Sequence, residues 1–138
     1  YYGMRPLTTR DGTPTNAVFG FIKLLLKLLS DIHPEGLIVA FDLKAPTFRH
    51  KMYESYKATR KPMPEDLVIQ VNILKELLRS MRFTICEKEG YEADDLIGTL
   101  SHRFADTKRC ISARGRVHRC LFYQDRCFRT VKTEQGKF

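Results

Sequence analysis

Apolar residues recur at three- and four-residue intervals from Asn16 to Ser30. Val18, Phe21, Ile22, Leu25 and Leu29 form one stripe, widened by Leu24, Leu26 and Leu28. That spacing predicts a helix packed against a sheet. Pro14 and Thr15 would open it, and Pro34 with Gly36 would end the turn that follows. Before it, residues 1–15 are turn-rich, with Asp11-Gly12 and Pro14 as breakers. Leu37 to Phe41 (LIVAF) is an unbroken apolar run between Gly36 and Asp42, the pattern of a central parallel strand covered on both faces. A second helix is predicted over Glu65 to Met81, with Leu67, Val71, Leu74, Leu77, Leu78 and Met81 as its buried face. Glu65 and Asp66 suit its positive end, and Arg79 and Arg82 the other. Phe83 to Cys86 reads as a short strand. A third helix runs from about Tyr91 to Ala105, with Leu96, Ile97 and Leu100 inward. Strands alternating with helices predict an α/β fold with a mostly parallel sheet flanked by helices. Beyond Ala105 the pattern deteriorates. Cys110 to Ala113 and Val117 to Tyr123 have strand-like stretches, but Arg114, Arg116 and Arg119 interrupt them, and no firm element is predicted.

Composition narrows the class. A chain of 138 residues is long enough for one core, since about 150 residues bury roughly two-thirds of their surface. With 43% apolar and 29% charged residues, disorder is disfavoured over most of its length. The longest strongly apolar stretch, Leu24 to Leu29, contains Lys27 and is far short of the roughly 20 residues that cross a bilayer. The start lacks the charged, apolar and small-residue order of a signal peptide. Tyr1 in place of Met leads us to expect a chain that begins inside a longer reading frame. Four cysteines show no CxxC pair. A membrane span and a cysteine-stapled miniprotein are excluded, and a soluble intracellular domain is the expectation.

The formal charge of +8 is uneven. Residues 1–105 hold 15 basic and 13 acidic side chains, and residues 106–138 hold 9 and 3. A basic balance suits a polyanion without identifying one. Residues 43–64 interleave Lys44, Arg49, Lys51, Lys57, Arg60 and Lys61 with Phe48, Tyr53 and Tyr56, and Pro46, Pro62 and Pro64 bracket them as an insertion. Tyr53 or Tyr56 is either an ordinary packed tyrosine or a stacking partner for an unpaired base.

The segment Glu89-Gly90-Tyr91-Glu92-Ala93-Asp94-Asp95 carries the densest negative charge. Glu92 and Asp95 share a helix face, and Asp94 lies beside Asp95 around the first turn. One reading is a set of helix caps and solubilisers at a dipole's positive end. The other brings in Asp42. Parallel strands joined by crossovers bring their carboxyl ends to one sheet edge, where open α/β sheets place ligands. Asp42, Glu92, Asp94 and Asp95 would then form the hard oxygen site that Mg²⁺ or Mn²⁺ prefers. With the basic, aromatic insertion alongside, the chemistry points to a metal-dependent phosphodiesterase.

The stretches LTTRDGTPTNAVFGFIKLLLKLL, LIVAFDLKAPTFRHKMYESYKATRKPMPEDL and GYEADDLIGTL resemble the 5′-to-3′ exonuclease domain attached to bacterial family A DNA polymerases, within the flap endonuclease family. The resemblance covers about residues 7–105. It implies a PIN-like, flap-endonuclease-like mixed sheet flanked by helices, with a basic arch at about residues 43–64. It also implies a partial catalytic domain over 1–105 followed by a divergent basic tail over 106–138. The implied reaction is divalent-metal-dependent hydrolysis of DNA bearing a 5′ flap, nick or single-stranded 5′ arm. By position, Asp42, Glu92, Asp94 and Asp95 resemble metal-site acids. Lys57 and Arg60 match the arch pair that contacts the reacting phosphate. Arg49 and Lys61 are implied backbone contacts, and Tyr56 is implied to shape the arch. His50 is not expected to act as a base, because a metal-bound water needs none.

The chain also departs from the family's pattern. The N-terminal strand with its metal-site aspartate is not seen before Tyr1-Tyr2-Gly3, and the GDxD-like turn gives way to CISARGRVHRCLFYQDR. Asp125 does not stand in for the missing pair. The expectation is a two-metal site that is incomplete and a nuclease that is impaired, or else a non-catalytic DNA-binding module or inactive fragment. The host would be a bacterium and the setting its nucleoid-containing cytoplasm, with a polymerase domain as the candidate continuation and no membrane partner.

Overall fold

In a computed structural model, residues 5–59, 62–104, 109–114 and 118–124 are described, the last two stretches by their backbone. Arg60, Lys61 and Asp125 lie outside them. The chain divides into two compact units, one reaching to His33 and resuming up to Arg82, the other starting at Pro34 and resuming at Phe83.

The first unit is a helix pair. Helix α1 spans Asn16–Ile32 and buries Asn16, Phe21, Leu25 and Leu28. Here α3, Glu65–Ser80, packs on it, burying Leu67, Gln70, Leu74 and Leu78. Both helices lie within two residues of their predicted bounds, and three of the six expected inward residues of α3 are buried. Met81 is exposed and lies beyond the last turn. Gln70 was missed because its side chain is polar, yet it is 1% exposed. Its burial has a clear cause. Thr15 makes no side-chain cap, and the α1 amide of Ala17 donates instead to Gln70 Oε1 at 2.6 Å. Gln70 Nε2 donates to Asn16 Oδ1 at 3.0 Å and to the Asp66 carbonyl at 3.2 Å. One helix thus caps the other, satisfying an amide that helix geometry leaves open. Upstream, a Thr8–Pro14 bridge closes a turn whose Gly12 has φ 85°, a conformation glycine adopts without a side-chain penalty.

The second unit is built on a four-stranded sheet in the order β2-β1-β4-β3. Strand β1 is Gly36–Phe41, β2 is Thr84–Cys86, β3 is Arg109–Arg114 and β4 is His118–Gln124. The expected parallel pairing is present, with Ile38, Val39 and Ala40 of β1 beside Thr84, Ile85 and Cys86. The other two pairings, β1 with β4 and β4 with β3, are antiparallel. The sheet is therefore mixed rather than mostly parallel. Only residues 115–117 separate β3 from β4, too few for the crossover a parallel pair requires. These two strands fall in the region where the apolar pattern failed.

Val39 and Ala40 point to opposite faces of β1 and are both fully buried, which confirms a strand covered on both sides. One face receives helix α4, Ala93–Phe104. Its Ala93, Leu96 and Ile97 form a cluster with Ala40, against which Ile38, Cys86, Leu100 and Phe104 pack. Residues 43–59 contribute a short helix, α2, at Phe48–Met52, followed by turns. Among the described residues no helix is long and apolar enough to cross a membrane.

Replacing Gln70 with Leu should remove the acceptor of the Ala17 amide and the donor to Asn16 Oδ1. We expect a loss of about 1–3 kcal/mol in denaturant unfolding, whereas Glu76→Gln on the exposed side of α3 should change stability by less than about 0.5 kcal/mol.

Candidate phosphate and metal site at the start of helix α4

The site grows from the junction between β1 and α4. Asp42 follows the last residue of β1, and its Oδ1 accepts the amide hydrogen of Ala93 at 2.7 Å. Ala93 is the first residue of α4, so a carboxylate from the sheet edge caps the helix from outside. Asp95 acts from within, its Oδ2 accepting from the Glu92 amide at 3.0 Å. This is the reciprocal arm of a capping box, the third helical residue reaching back to the residue before the helix. Asp94 is exposed in the same first turn.

Cations from the α2 region meet these acids. Arg49 forms a two-pronged pair with Asp95, at 2.7 Å from Nη1 to Oδ2 and 2.5 Å from Nη2 to Oδ1. Its Nη1 is also 4.0 Å from Glu92 Oε2. Lys57 Nζ donates to Glu92 Oε1 at 2.7 Å, and the Tyr56 hydroxyl donates to Oε2 at 3.3 Å. The Glu92 side chain is 12% exposed and that of Lys57 31%. Lys57 sits at φ 59°, a left-handed conformation that a non-glycine residue adopts at a cost of about 1–3 kcal/mol.

Short-range order holds the cations. The Phe48 amide donates to the Gly90 carbonyl at 2.9 Å, joining α2 to the loop before α4. Thr47 and His50 form a capping box at the start of α2, with the Thr47 amide donating to His50 Nδ1 at 3.2 Å. His50 then meets the Tyr56 ring edge-on at 5.2 Å. Its Nδ1 is engaged in the cap, consistent with a supporting role.

The electrostatics follow the contacts. Hydrogen bonding by Arg49 holds the Asp95 carboxyl below its ordinary range, against the opposing effect of burial. Burial would raise Glu92, but the hydrogen bond and charge of Lys57, with Tyr56 and Arg49, bring it down overall. The hydrogen bond to Asp95 raises Arg49 in turn.

A divalent ion such as Mg²⁺ takes hard oxygen donors, and Asp42, Glu92, Asp94 and Asp95 are of that type. As placed, they do not fit a two-metal centre. Glu92 and Asp95 face ammonium and guanidinium groups, and Asp42 faces an amide. Among the described residues no group of three or more His, Cys, Asp or Glu is disposed to hold a metal ion. The structure brings Arg49, Tyr56 and Lys57 to the acids. The two-pronged partnership of Arg49 with Asp95 was not legible, since nothing in their 46-residue separation signals it.

Depressed carboxyl pKa values stabilise the fold above the ordinary values of 3.8 for Asp and 4.5 for Glu, and this stabilisation is lost as pH falls through the lower folded values. Arg49→Ala should therefore lower the melting temperature at pH 7. In chelator-containing buffer it should also show a shallower further drop than the parent chain on acidification below 4.5. Thermal melts across that range check both effects.

The family model for the 5'-3' exonuclease, N-terminal resolvase-like domain, matches residues 1–115. DNA polymerase I of Caldicellulosiruptor bescii is 43% identical over 107 residues, 78% of this chain and 13% of that protein. Thermostable DNA polymerase I of Thermus thermophilus is 47% identical over 103 residues, 75% of this chain and 12% of that one. A 5'-3' exonuclease of Aquifex aeolicus is 39% identical over 105 residues, 76% of this chain and 36% of its own length. The chain thus spans a minor part of each relative. Over most of its own length, it belongs to the family of N-terminal 5′-to-3′ exonuclease domains found in bacterial DNA polymerase I.

Proposed function

We propose that the chain is a 5′-nuclease module of reduced capacity, acting on DNA with a 5′ flap, nick or single-stranded 5′ arm. The observation that carries this reading is the meeting of Arg49 and Lys57 with Asp95 and Glu92 beside Asp42. Phosphate-binding cations and metal-type acids share one helix start. Lys57 and Arg60 contact the reacting phosphate, and Arg49 and Lys61 contact flanking phosphates. Tyr56 shapes the arch over residues 43–64. Asp42, Glu92, Asp94 and Asp95 are acids of the type the family uses for Mg²⁺ or Mn²⁺, but as placed Asp42, Glu92 and Asp95 engage an amide, an ammonium and a guanidinium, which supports the reading of reduced capacity. Residues 1–105 carry the catalytic portion, and residues 106–138 add strands β3 and β4 and most of the excess positive charge. A DNA substrate of this kind places the protein in the bacterial cytoplasm, at the nucleoid.

Without a divalent ion, this chain's own groups still do two things. They offer fixed positive charge to a phosphate, and they keep the acids ionised by pairing with them. A specific observation favours a second reading, a non-catalytic DNA-binding module. Glu92 and Asp95 are already neutralised by resident side chains, so DNA can be held with no ion engaged.

The test is binding of a labelled 5′-flap duplex in chelator, followed by cleavage in Mg²⁺ or Mn²⁺. We expect tighter binding to the flap than to a blunt duplex, and affinity that falls as salt rises. Combined Lys57→Ala and Arg60→Ala substitution should cost on the order of tenfold. Cleavage should be weak or absent. Equal affinity for flap and blunt DNA would remove the 5′-end reading. Vigorous cleavage abolished by Asp94→Asn with Asp95→Asn would show that the capacity is not reduced.

A further inference from the structure

Helix α2 is turned the opposite way from a helix packing on a core. Its polar Arg49 reaches inward to Asp95, while Phe48 and Met52, four residues apart on one face, are 39% and 66% exposed. Tyr91, which precedes α4, is 43% exposed, and its ring lies 5.8 Å from that of Phe48 at an interplanar angle of 54°. Each ring has a cation beside it. The Arg49 guanidinium carbon is 4.5 Å from the Phe48 centroid, and Lys88 Nζ is 5.2 Å from that of Tyr91.

With Arg49 engaged by Asp95, the side of this five-residue helix that bears Phe48 and Met52 is left facing water. The arrangement observed keeps two aromatic rings at the surface, at a fixed tilt. The Phe48 amide to Gly90 carbonyl bond ties their backbones one residue away from Tyr91. The cations over the rings give the patch a positive edge, a poor match for an apolar protein partner. A flat, π-faced group attached to an anionic backbone suits it better.

We infer that Phe48 and Tyr91, flanked by Lys88 and Met52, form a base-stacking platform for an unpaired nucleotide of single-stranded DNA. The inference rests on the DNA reading above and adds a subsite to it. Arg49 and Lys57 address phosphate, and this patch addresses the bases, so its contribution needs nucleobases and not just charge. Stacking is tolerant of base identity because every base has a π-face, so no sequence preference follows.

The experiment measures fluorescence anisotropy of the full 138-residue chain with two probes in chelator: oligo-dT of 15 nucleotides and a 15-mer of abasic sites with the same phosphates. The parent chain should prefer oligo-dT. Tyr91→Ala and Phe48→Ala should each weaken oligo-dT binding by about 5- to 100-fold, leaving abasic binding and the salt dependence nearly unchanged. Tyr91→Phe should restore the preference. Lys57→Ala should weaken both probes together. Both aromatic positions are exposed, and melting curves of the variants show whether the fold persists. If the parent binds both probes equally, or Tyr91→Ala keeps the preference with an unchanged melt, the platform is overturned while DNA binding stands. If neither probe binds at low salt, the platform and the DNA reading fall together.

Discussion

The hydrogen bond from the Ala93 amide to Asp42 is the constraint on which the site depends. A helix start carries unpaired amides and a positive dipole end, and it is normally capped by a side chain from the preceding residue. Here the preceding residue is Glu92, whose carboxylate is held by Lys57 and Tyr56 and does not cap its own helix. The strand end supplies the acceptor instead. This fixes where β1 stops relative to where α4 begins, and it aims the first turn of α4, with Asp94 and Asp95, at the carboxyl edge of the sheet. The small side chains of Ala40 and Ala93 in the shared cluster allow the close approach that the bond requires.

Around that joint, charge is arranged in pairs. Four acids within one helix turn and one strand end would repel one another if left bare, and each additional carboxylate would raise the cost of the next. Arg49 and Lys57 relieve this. A guanidinium suits Asp95 because its fork matches both carboxylate oxygens, and a lysine suits Glu92 because a single oxygen is taken.

Much of the framework was legible because it rests on periodicity. The stripe of α1, the LIVAF strand and the short strand at Cys86 are consequences of which residues must leave water, and burial writes itself into spacing. The failures have physical causes. Strands β3 and β4 were legible only as strand-like stretches, Cys110 to Ala113 and Val117 to Tyr123, because arginines interrupt the apolar run there. Gln70 escaped because its burial serves a hydrogen bond to another helix, which no local pattern records. The acids at the start of α4 were legible as a cluster, and Asp42 was legible as their neighbour through the rule that strand ends gather. The grip of Arg49 on Asp95 was not, since a salt bridge between distant residues leaves no periodic trace.

The orientation of α2 follows from the same electrostatic demand. Once Arg49 is required at Asp95, helix geometry dictates what the rest of α2 can do. Phe48 is one position back, roughly 100° around the axis, and Met52 returns to its side one turn later. A five-residue helix cannot bury both its arginine and its apolar side against a single neighbour. The charge pair takes the inward side because an unpaired carboxylate as covered as that of Asp95, 18% exposed, would cost more than the contact forgone by leaving a phenyl ring partly in water. Surface aromatics beside the acids are thus a by-product of neutralising those acids. By-products at such a place are available for binding.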